Sequence, residues 1–302
     1  MTRRVVILGG GFGGLTAARK LRGADLEVTL CDPKHHHLFQ PLIYQLGLGA
    51  IGAGECATPI RSAVKRARNV SVRMEAADDI DSQAREVVLS GGEHLPYDSL
   101  IVACGAQTSY FGHDHWRDVT YGLKSLDDAV RLRNRVYSCF EQAELLDDGE
   151  QREPFQTFVI VGGGPTGVEV AGSLAILRRH DLHRQYRRSD PREARVILLD
   201  AGERPVAAFR ERLSAKVSKY LDDLGVEVRQ GARVTAIDPD GVTFDLAGSE
   251  QRIATRTVIW GQACRRPTSR RGSPRRPARP PIAPVASRSA PTWRSMAIPR
   301  SP

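Results

Sequence analysis

The sequence has few cysteines, and no two of them are placed to react together. Cys31, Cys56, Cys104, Cys139 and Cys264 are odd in number, none are spaced C-x-x-C, and none sits near metal-type partners. This excludes a disulfide framework, a zinc site and a redox-active disulfide as organising features, and it indicates a reducing compartment. Long apolar runs are also missing: no segment approaches the roughly 18 residues of a membrane span. The basic start Met1-Thr2-Arg3-Arg4 before Val5-Val6-Ile7-Leu8 mimics a secretory leader. Residues 9–14, however, are glycine at every position but Phe12, a poor leader helix, so a first strand of a cytosolic protein is expected. Acidic residues are absent from one place, residues 265–302, which hold 10 of the 44 Lys+Arg. Residues 1–264 therefore carry 34 basic against 35 acidic side chains, a net −1, although the whole chain is +9. The basicity is local, and no global field for nucleic acid exists.

Against these absences stands a repeated pattern of apolar runs and glycines. Residues 4–8 form an apolar run ending in glycines, 15–21 have helical spacing, and 26–30 are β-branched and apolar again. Strand, helix, strand is one βαβ unit of a parallel sheet. The order recurs with a strand at 157–161, a helix at 168–177 and a strand at 195–199. Between the units lie strands at 70–74 and 86–89, a Gly91-Gly92 hairpin turn and an apolar strand at 99–103. Ser125 with Asp128 resembles a capping box opening a helix to about residue 146. Residues 210–224 read as a further amphipathic helix closed by Gly225, followed by strands at 226–229, 234–237, 242–244 and 257–260. The fold class expected is α/β with two Rossmann-like doubly wound domains, one over 1–120 and the second over 121–260, with a boundary between residues 115 and 125.

The chemistry resides in two glycine clusters. The first matches G-x-G-x-x-G at Gly9, Gly11 and Gly14, and Asp32 ends the following strand. In that pattern the first glycine permits a tight turn, the second lets backbone approach a pyrophosphate, and the third lets helix pack on strand. The pyrophosphate then sits on a helix N-terminus, and the acid accepts hydrogen bonds from a ribose. The second cluster matches at Gly162, Gly164 and Gly167, with Asp200 ending its strand 38 residues after Gly162. The usual spacing is about 20. The surplus is a polar stretch at 178–193, readable as extended helix and loop. A carboxylate at Asp200 favours NAD over NADP, whose 2′-phosphate it repels; Arg204 weakens this preference without reversing it. Two such folds in one chain imply two dinucleotides and hydride transfer through a flavin relay. His35-His36-His37 reads as a solvated loop, since no carboxylate or cysteine cluster completes a metal site, and no metal is expected.

Three segments together resemble the type II NADH:quinone dehydrogenases: residues 4–14, residues 37–45 (His-Leu-Phe-Gln-Pro-Leu-Ile-Tyr-Gln) and residues 162–169. Residues 97–105 resemble the short strand with which that family returns to its flavin. The resemblance covers residues 3 to about 261. It implies FAD at Gly9, Gly11, Gly14, Asp32 and Gly105, and NADH at Gly162, Gly164, Gly167 and Asp200. It implies Glu169 as a catalytic residue just inside the second helix, near nicotinamide and flavin; an ordinary first-turn acid is the alternative. The function implied is a respiratory-chain oxidoreductase passing hydride from NADH to FAD and electrons to a quinone. The family is peripheral on the inner face of the cytoplasmic membrane, and a homodimer stays open. A ferredoxin-type reductase shares the glycine motifs without residues 37–45, and a sulfide:quinone reductase would need paired cysteines near the flavin.

Residues 261–302 depart from all of this. From 265 onward they hold ten Arg and nine Pro with no helix or strand pattern, and a disordered tail is expected. Codons for residues 261–267 exist that, read from the third base of Gly261, give Ala-Gly-Val-Gln-Ala-Ser, as the family continues. Residues 292–299 in the same displaced frame give Leu-Ala-Val-Asp-Gly-His-Pro, like the segment before the family's later Gly-Asp flavin motif. A frame change at Gly261 is the reading expected, with a truncated product that lacks the second flavin motif and the amphipathic membrane helices. An inactive nucleotide-binding fragment is its corollary.

Overall fold

The computed structural model describes residues 2–147 and 149–261, together with the backbone of 264–265. The tail expected at 261–302, with its frame change, otherwise lies outside the described residues. Two four-stranded parallel sheets organise the chain. The first runs in the order Val70–Arg73, Leu26–Cys31, Arg3–Leu8, Ser99–Val102. The second repeats it with Val226–Gln230, Arg195–Asp200, Thr157–Val161, Thr257–Trp260. In each sheet the founding βαβ strand is central, and a three-stranded antiparallel meander precedes the returning strand.

Alternation along the strands builds three layers, because successive side chains leave opposite faces. Val5 and Ile7 meet Leu15, Ala18, Ile60 and Val64 of the helices, whereas Val6 and Leu8 meet Val87 and Leu89 of the meander. In the second sheet Phe158, Ile160, Val196 and Leu198 face the helices, and Val159, Val161, Ile197 and Leu199 face Val242 and Phe244. Both faces are covered, so the strands read as continuous apolar runs.

The helix Leu126–Leu145 opens with the expected box: Asp128 N–H donates to Ser125 Oγ at 3.1 Å, and Ser125 N–H to Asp128 Oδ2 at 2.8 Å. The helix expected at 210–224 spans Glu211–Asp223 and stops at Gly225, whose φ of +68° suits glycine. Other expectations need correction. The second nucleotide-domain helix begins at Pro165, three residues earlier than expected, because Gly164 caps it and proline suits the first turn. The polar stretch at 178–193 continues that helix only as a π-helical turn, Leu177–Asp181, before a loop. There Arg178 is buried and donates to the carbonyls of Arg192 at 2.8 Å, Ala194 at 2.5 Å and Gly225 at 2.9 Å. The histidine triplet is not a solvated loop: His36–Leu38 is a strand paired antiparallel with Ala57–Pro59. No group of three metal-ligating side chains gathers among the described residues. No helix there is long and apolar enough to cross a membrane.

Candidate dinucleotide sites and the cleft between them

Each glycine of the first cluster has its own reason. Gly9 turns at φ +104° while its N–H donates to the carbonyl of Cys31 at 2.7 Å, a turn that side chains resist. A methyl on Gly14 would lie 1.7 Å from the Gly9 carbonyl oxygen, so only glycine lets the helix Phe12–Lys20 sit on its strand. Gly11 caps that helix, and nothing lies within 4 Å of where its side chain would be. No side chain caps the helix, and no acid occupies its first turn. Open backbone, free N–H groups and the positive end of the helix dipole fit a pyrophosphate.

The second cluster repeats this geometry. Gly162 turns at φ +112°, its N–H donating to Leu199 O at 2.7 Å, and a methyl on Gly167 would lie 1.8 Å from the Gly162 oxygen. Gly164 is open and caps Pro165–Ile176, again with no side-chain cap and no acid in the first turn. Glu169 therefore sits beyond the first turn, and the helix dipole does not account for it.

The two strand-end acids differ. Asp32 accepts from Gly10 N–H at 2.6 Å through Oδ2 and from Lys34 N–H at 2.7 Å through Oδ1. It clamps its own turn and offers a ribose only its remaining lone pairs. Asp200 lies beside Gly163, close enough that any side chain there would collide with it, and its carboxylate accepts no hydrogen bond from the described residues. Arg204, next in the loop, does not offset it. That guanidinium donates to Ser214 Oγ at 2.5 Å, Ala207 O at 3.0 Å and Phe209 O at 3.1 Å. Val206, at φ +48°, donates its N–H to Gly163 O at 2.6 Å. A β-branched residue in the left-handed region is strained, and here the strain holds a loop against the glycine turn.

Residues 37–45 join the two sites. His37 Nδ1 lies 3.0 Å from Gly10 O, and its ring meets that of Phe12 edge-on at 5.0 Å. Beyond it Gln40–Leu42 forms a 3₁₀ turn and Ile43–Gly47 a short helix. Ile43 and Leu46 are buried with Leu132, Val136 and Val170, so this segment is built into the second half's core. It thereby forms one wall of a cleft of about 260 Å³. Gln40 and Tyr44 stand on that wall, and Thr166, Glu169, Trp260 and Gly261 on the other. Glu169 remains reachable by solvent, yet the protein packed around it raises its carboxyl above the ordinary glutamate range. Trp260 is pinned by its indole N–H, which donates to Ser109 O at 2.9 Å, and Tyr110 stacks on it at 5.2 Å.

Of the residues singled out in sequence, Gly162, Gly164, Gly167, Asp200 and Glu169 belong to the second half, and Gly9, Gly11, Gly14 and Asp32 to the first. Gly105 follows the returning strand at φ +72° with open space beside it. Gln40, Tyr44, Trp260 and Val206 were not foreseen as site residues. Only the family-like run at 37–45 marked the first two. The thiols do not enter. Cys31, Cys56, Cys104 and Cys139 are free, and burial pushes each above its ordinary value, Cys31 to about 11. Such thiols are poor nucleophiles.

Comparison with known proteins agrees with this geometry. Residues 3–269 match the family model described as pyridine nucleotide-disulphide oxidoreductase. The type II NADH:quinone oxidoreductase Ndh of Mycobacterium tuberculosis is 46% identical over 261 residues, covering 85% of this chain and 56% of that protein. NdhA of the same organism is 43% identical over the same shares. The chain thus spans about half the length of the curated relatives it matches. The fold matches that of NDH2 from Plasmodium falciparum, solved in complex with NADH, at a TM-score of 0.83 and 21% identity, over 88% of this chain and 56% of the other. With two glycine turns of one design and the family model matched over residues 3–269, the chain belongs to the pyridine nucleotide-disulphide oxidoreductase family.

Proposed function

We propose that this chain binds FAD at the first glycine turn and NADH at the second, and that it carries the NADH-oxidising part of an NADH:quinone oxidoreductase. The observation that carries the reading is the cleft. It brings Gln40 and Tyr44, tied through residues 37–39 to the first turn, opposite Thr166, which belongs to the second, and Glu169, two residues past it. Dinucleotides seated on both turns would extend their redox rings into that space. The flavin, when bound, accepts hydride from NADH and releases electrons singly or in pairs. The chain's own part is to hold the rings together, to limit water in the cleft, and to keep at Glu169 a carboxyl that retains a proton more readily than an ordinary one. A quinone is the acceptor, and in the whole enzyme that exchange takes place peripherally at the inner face of the cytoplasmic membrane.

The test is anaerobic mixing of NADH with the FAD-loaded chain. Bleaching of the flavin's visible band is expected with NADH and not with NADPH, followed by recovery on adding a soluble quinone. Glu169→Gln should slow the bleaching and flatten its pH profile while leaving NADH affinity unchanged. Flavin that binds but is not bleached by NADH would defeat the proposal.

A further inference from the structure

We propose a phosphate-binding site at the opposite end of the first sheet, formed by Arg22, Arg66 and Arg68. These three line a cleft of about 360 Å³ together with Gly23 and Asn69. Arg22 follows the helix Phe12–Lys20 and precedes the strand Leu26–Cys31, whereas Arg66 and Arg68 follow Ile60–Val64 and precede Val70–Arg73. The cleft is therefore at the starting ends of parallel strands whose finishing ends carry the first glycine turn. A six-residue strand is about 20 Å long, so the cleft is separate from either nucleotide site.

Three observations make this more than a solvated basic surface. The first is the absence of counter-ions. None of the three guanidinia has a hydrogen-bond or ion-pair partner among the described residues, in a body of net charge −1. Several arginines elsewhere are matched, Arg73 with Glu75 and Glu93, Arg195 with Glu227 and Arg252 with Asp238, whereas Arg85, Arg184 and Arg233 stand singly without an ion pair among the described residues. Asp25, in the same turn as Arg22, makes no ion pair with them. The second is rigidity. Asn69 Nδ2 donates to the carbonyls of Leu21 at 3.0 Å, Leu26 at 3.2 Å and Ala24 at 3.3 Å, while Oδ1 accepts from Gly23 N–H at 3.0 Å. One side chain thus locks the turn bearing Arg22 to the backbone beside Arg68, so the loops that bear the guanidinia are held together before any ligand arrives. The third is position. Helix dipoles favour cations in the last turn, which accounts for Arg19 and Lys20. Arg22, Arg66 and Arg68 lie past the helix ends, where that effect has faded.

Three exposed, forked guanidinium donors lining one open cleft suit a doubly charged phosphate ester. The volume admits the phosphate and part of what it esterifies. That chemistry is shared by a soluble phosphorylated metabolite and a phospholipid headgroup, and the test separates them.

Inorganic pyrophosphate is titrated calorimetrically into the wild-type chain and into Arg22→Gln/Arg66→Gln/Arg68→Gln. Both proteins retain the glycine turns and the arginines of 265–302, so the difference reports on this cleft. The wild type should show an additional class of binding, weakened about tenfold or more in the variant, since three exposed charge contacts of modest strength are removed. In parallel, both are floated with phosphatidylglycerol and phosphatidylcholine vesicles. A variant defect with pyrophosphate but not vesicles identifies a soluble ligand. A defect with phosphatidylglycerol vesicles but not pyrophosphate identifies a headgroup. Arg68→Glu, a single exposed change, repeats the comparison should the triple variant melt early. Equal behaviour of variant and wild type in both arms overturns the proposal.

Discussion

The two glycine turns make a prediction that separates folding from binding within a few residues. In Gly14→Ala the new methyl would stand 1.7 Å from the Gly9 carbonyl oxygen, and in Gly167→Ala 1.8 Å from that of Gly162. An ordinary contact needs roughly 3.2 Å, so helix and strand must part by about 1.5 Å at the tightest point of a close-packed layer. Overpacking costs about 1–3 kcal/mol; because the obstacle is backbone and cannot rotate away, the upper end applies. A loss near 3 kcal/mol lowers the melting midpoint by about 6–12 °C in a domain of this size. Gly11→Ala and Gly164→Ala behave differently. Nothing lies within 4 Å of either methyl, and the backbone there is at φ −75° and −72°, which alanine adopts freely. Alanine is a poorer helix cap than glycine by about 0.5–1 kcal/mol, but it returns about 0.4–1 kcal/mol by restricting the unfolded chain. The melting midpoint should therefore barely move. Binding should suffer, because the methyl occupies the space through which backbone N–H groups reach a pyrophosphate. Losing one charge-assisted hydrogen bond weakens binding about 10- to 100-fold. Melting curves read the first effect; NADH fluorescence titration for Gly164→Ala and retained flavin for Gly11→Ala read the second. Normal NADH binding by a folded Gly164→Ala would refute the assignment of that turn, and an unshifted midpoint in Gly14→Ala would refute the packing argument.

Three further perturbations follow from the same structure. Asp200, with no donor among the described residues and with Arg204 engaged elsewhere, should make NADPH bind about 100-fold more weakly than NADH, and Asp200→Asn should close most of that gap in competitive titrations; equal affinities in the wild type would contradict it. Burial alone would raise the carboxyl of Glu144, but N–H groups of Arg187, Ser189 and Arg188 and the Ser189 hydroxyl hold it at about 2. A depressed pKa adds stability above the ordinary carboxyl range and loses it as pH falls from about 5 towards 2, so the midpoint difference between wild type and Glu144→Gln should be largest at neutral pH and shrink on acidification. Arg178→Met, which strands the carbonyls of Arg192, Ala194 and Gly225, should cost about 3 kcal/mol in urea unfolding.

What could be read from the sequence was what is local. The strand Thr157–Val161 is a threonine and four apolar residues closed by three glycines, and it appears in the structure with those bounds. The capping box at Ser125 and the stop at Gly225 rest on contacts within four residues, and both are present. The glycine roles were legible because each follows from one turn's geometry. What escaped depends on distant partners. His36–Leu38 is a strand only because Ala57–Pro59 lies beside it. Ile43–Gly47 is too short to show a helical period, and its burial is decided by the helices at 126–145 and 165–176. Trp260 reads as the end of a strand; its place in the cleft is set by Ser109 and Tyr110, some 150 residues away. The early start at Pro165 had a local signal, since proline after a glycine cap suits a first turn.

Because one unit occurs twice, each copy is a control for the other, and the returning strand is where they part. In the second copy all four residues of Thr257–Trp260 are buried, and Tyr121 extends their outer edge, its N–H donating to Val258 O at 2.9 Å and its carbonyl accepting from Trp260 N–H at 2.8 Å. In the first copy Ser99–Val102 pairs only with Arg3–Leu8 among the described residues, and Val102 is 61% exposed. An apolar strand with a free row of N–H and C=O groups is a template for another strand. The 302-residue chain should therefore self-associate in proportion to concentration, and Val102→Lys should suppress this, because a charged side chain at that edge has to be desolvated before a second strand can dock. Valine-to-lysine at an exposed site should move the melting midpoint little, so lost association would not reflect lost folding. Sedimentation velocity across a tenfold concentration range distinguishes the outcomes. A single unchanging species for the wild type, or association that Val102→Lys leaves untouched, would show that this edge is not the adhesive surface.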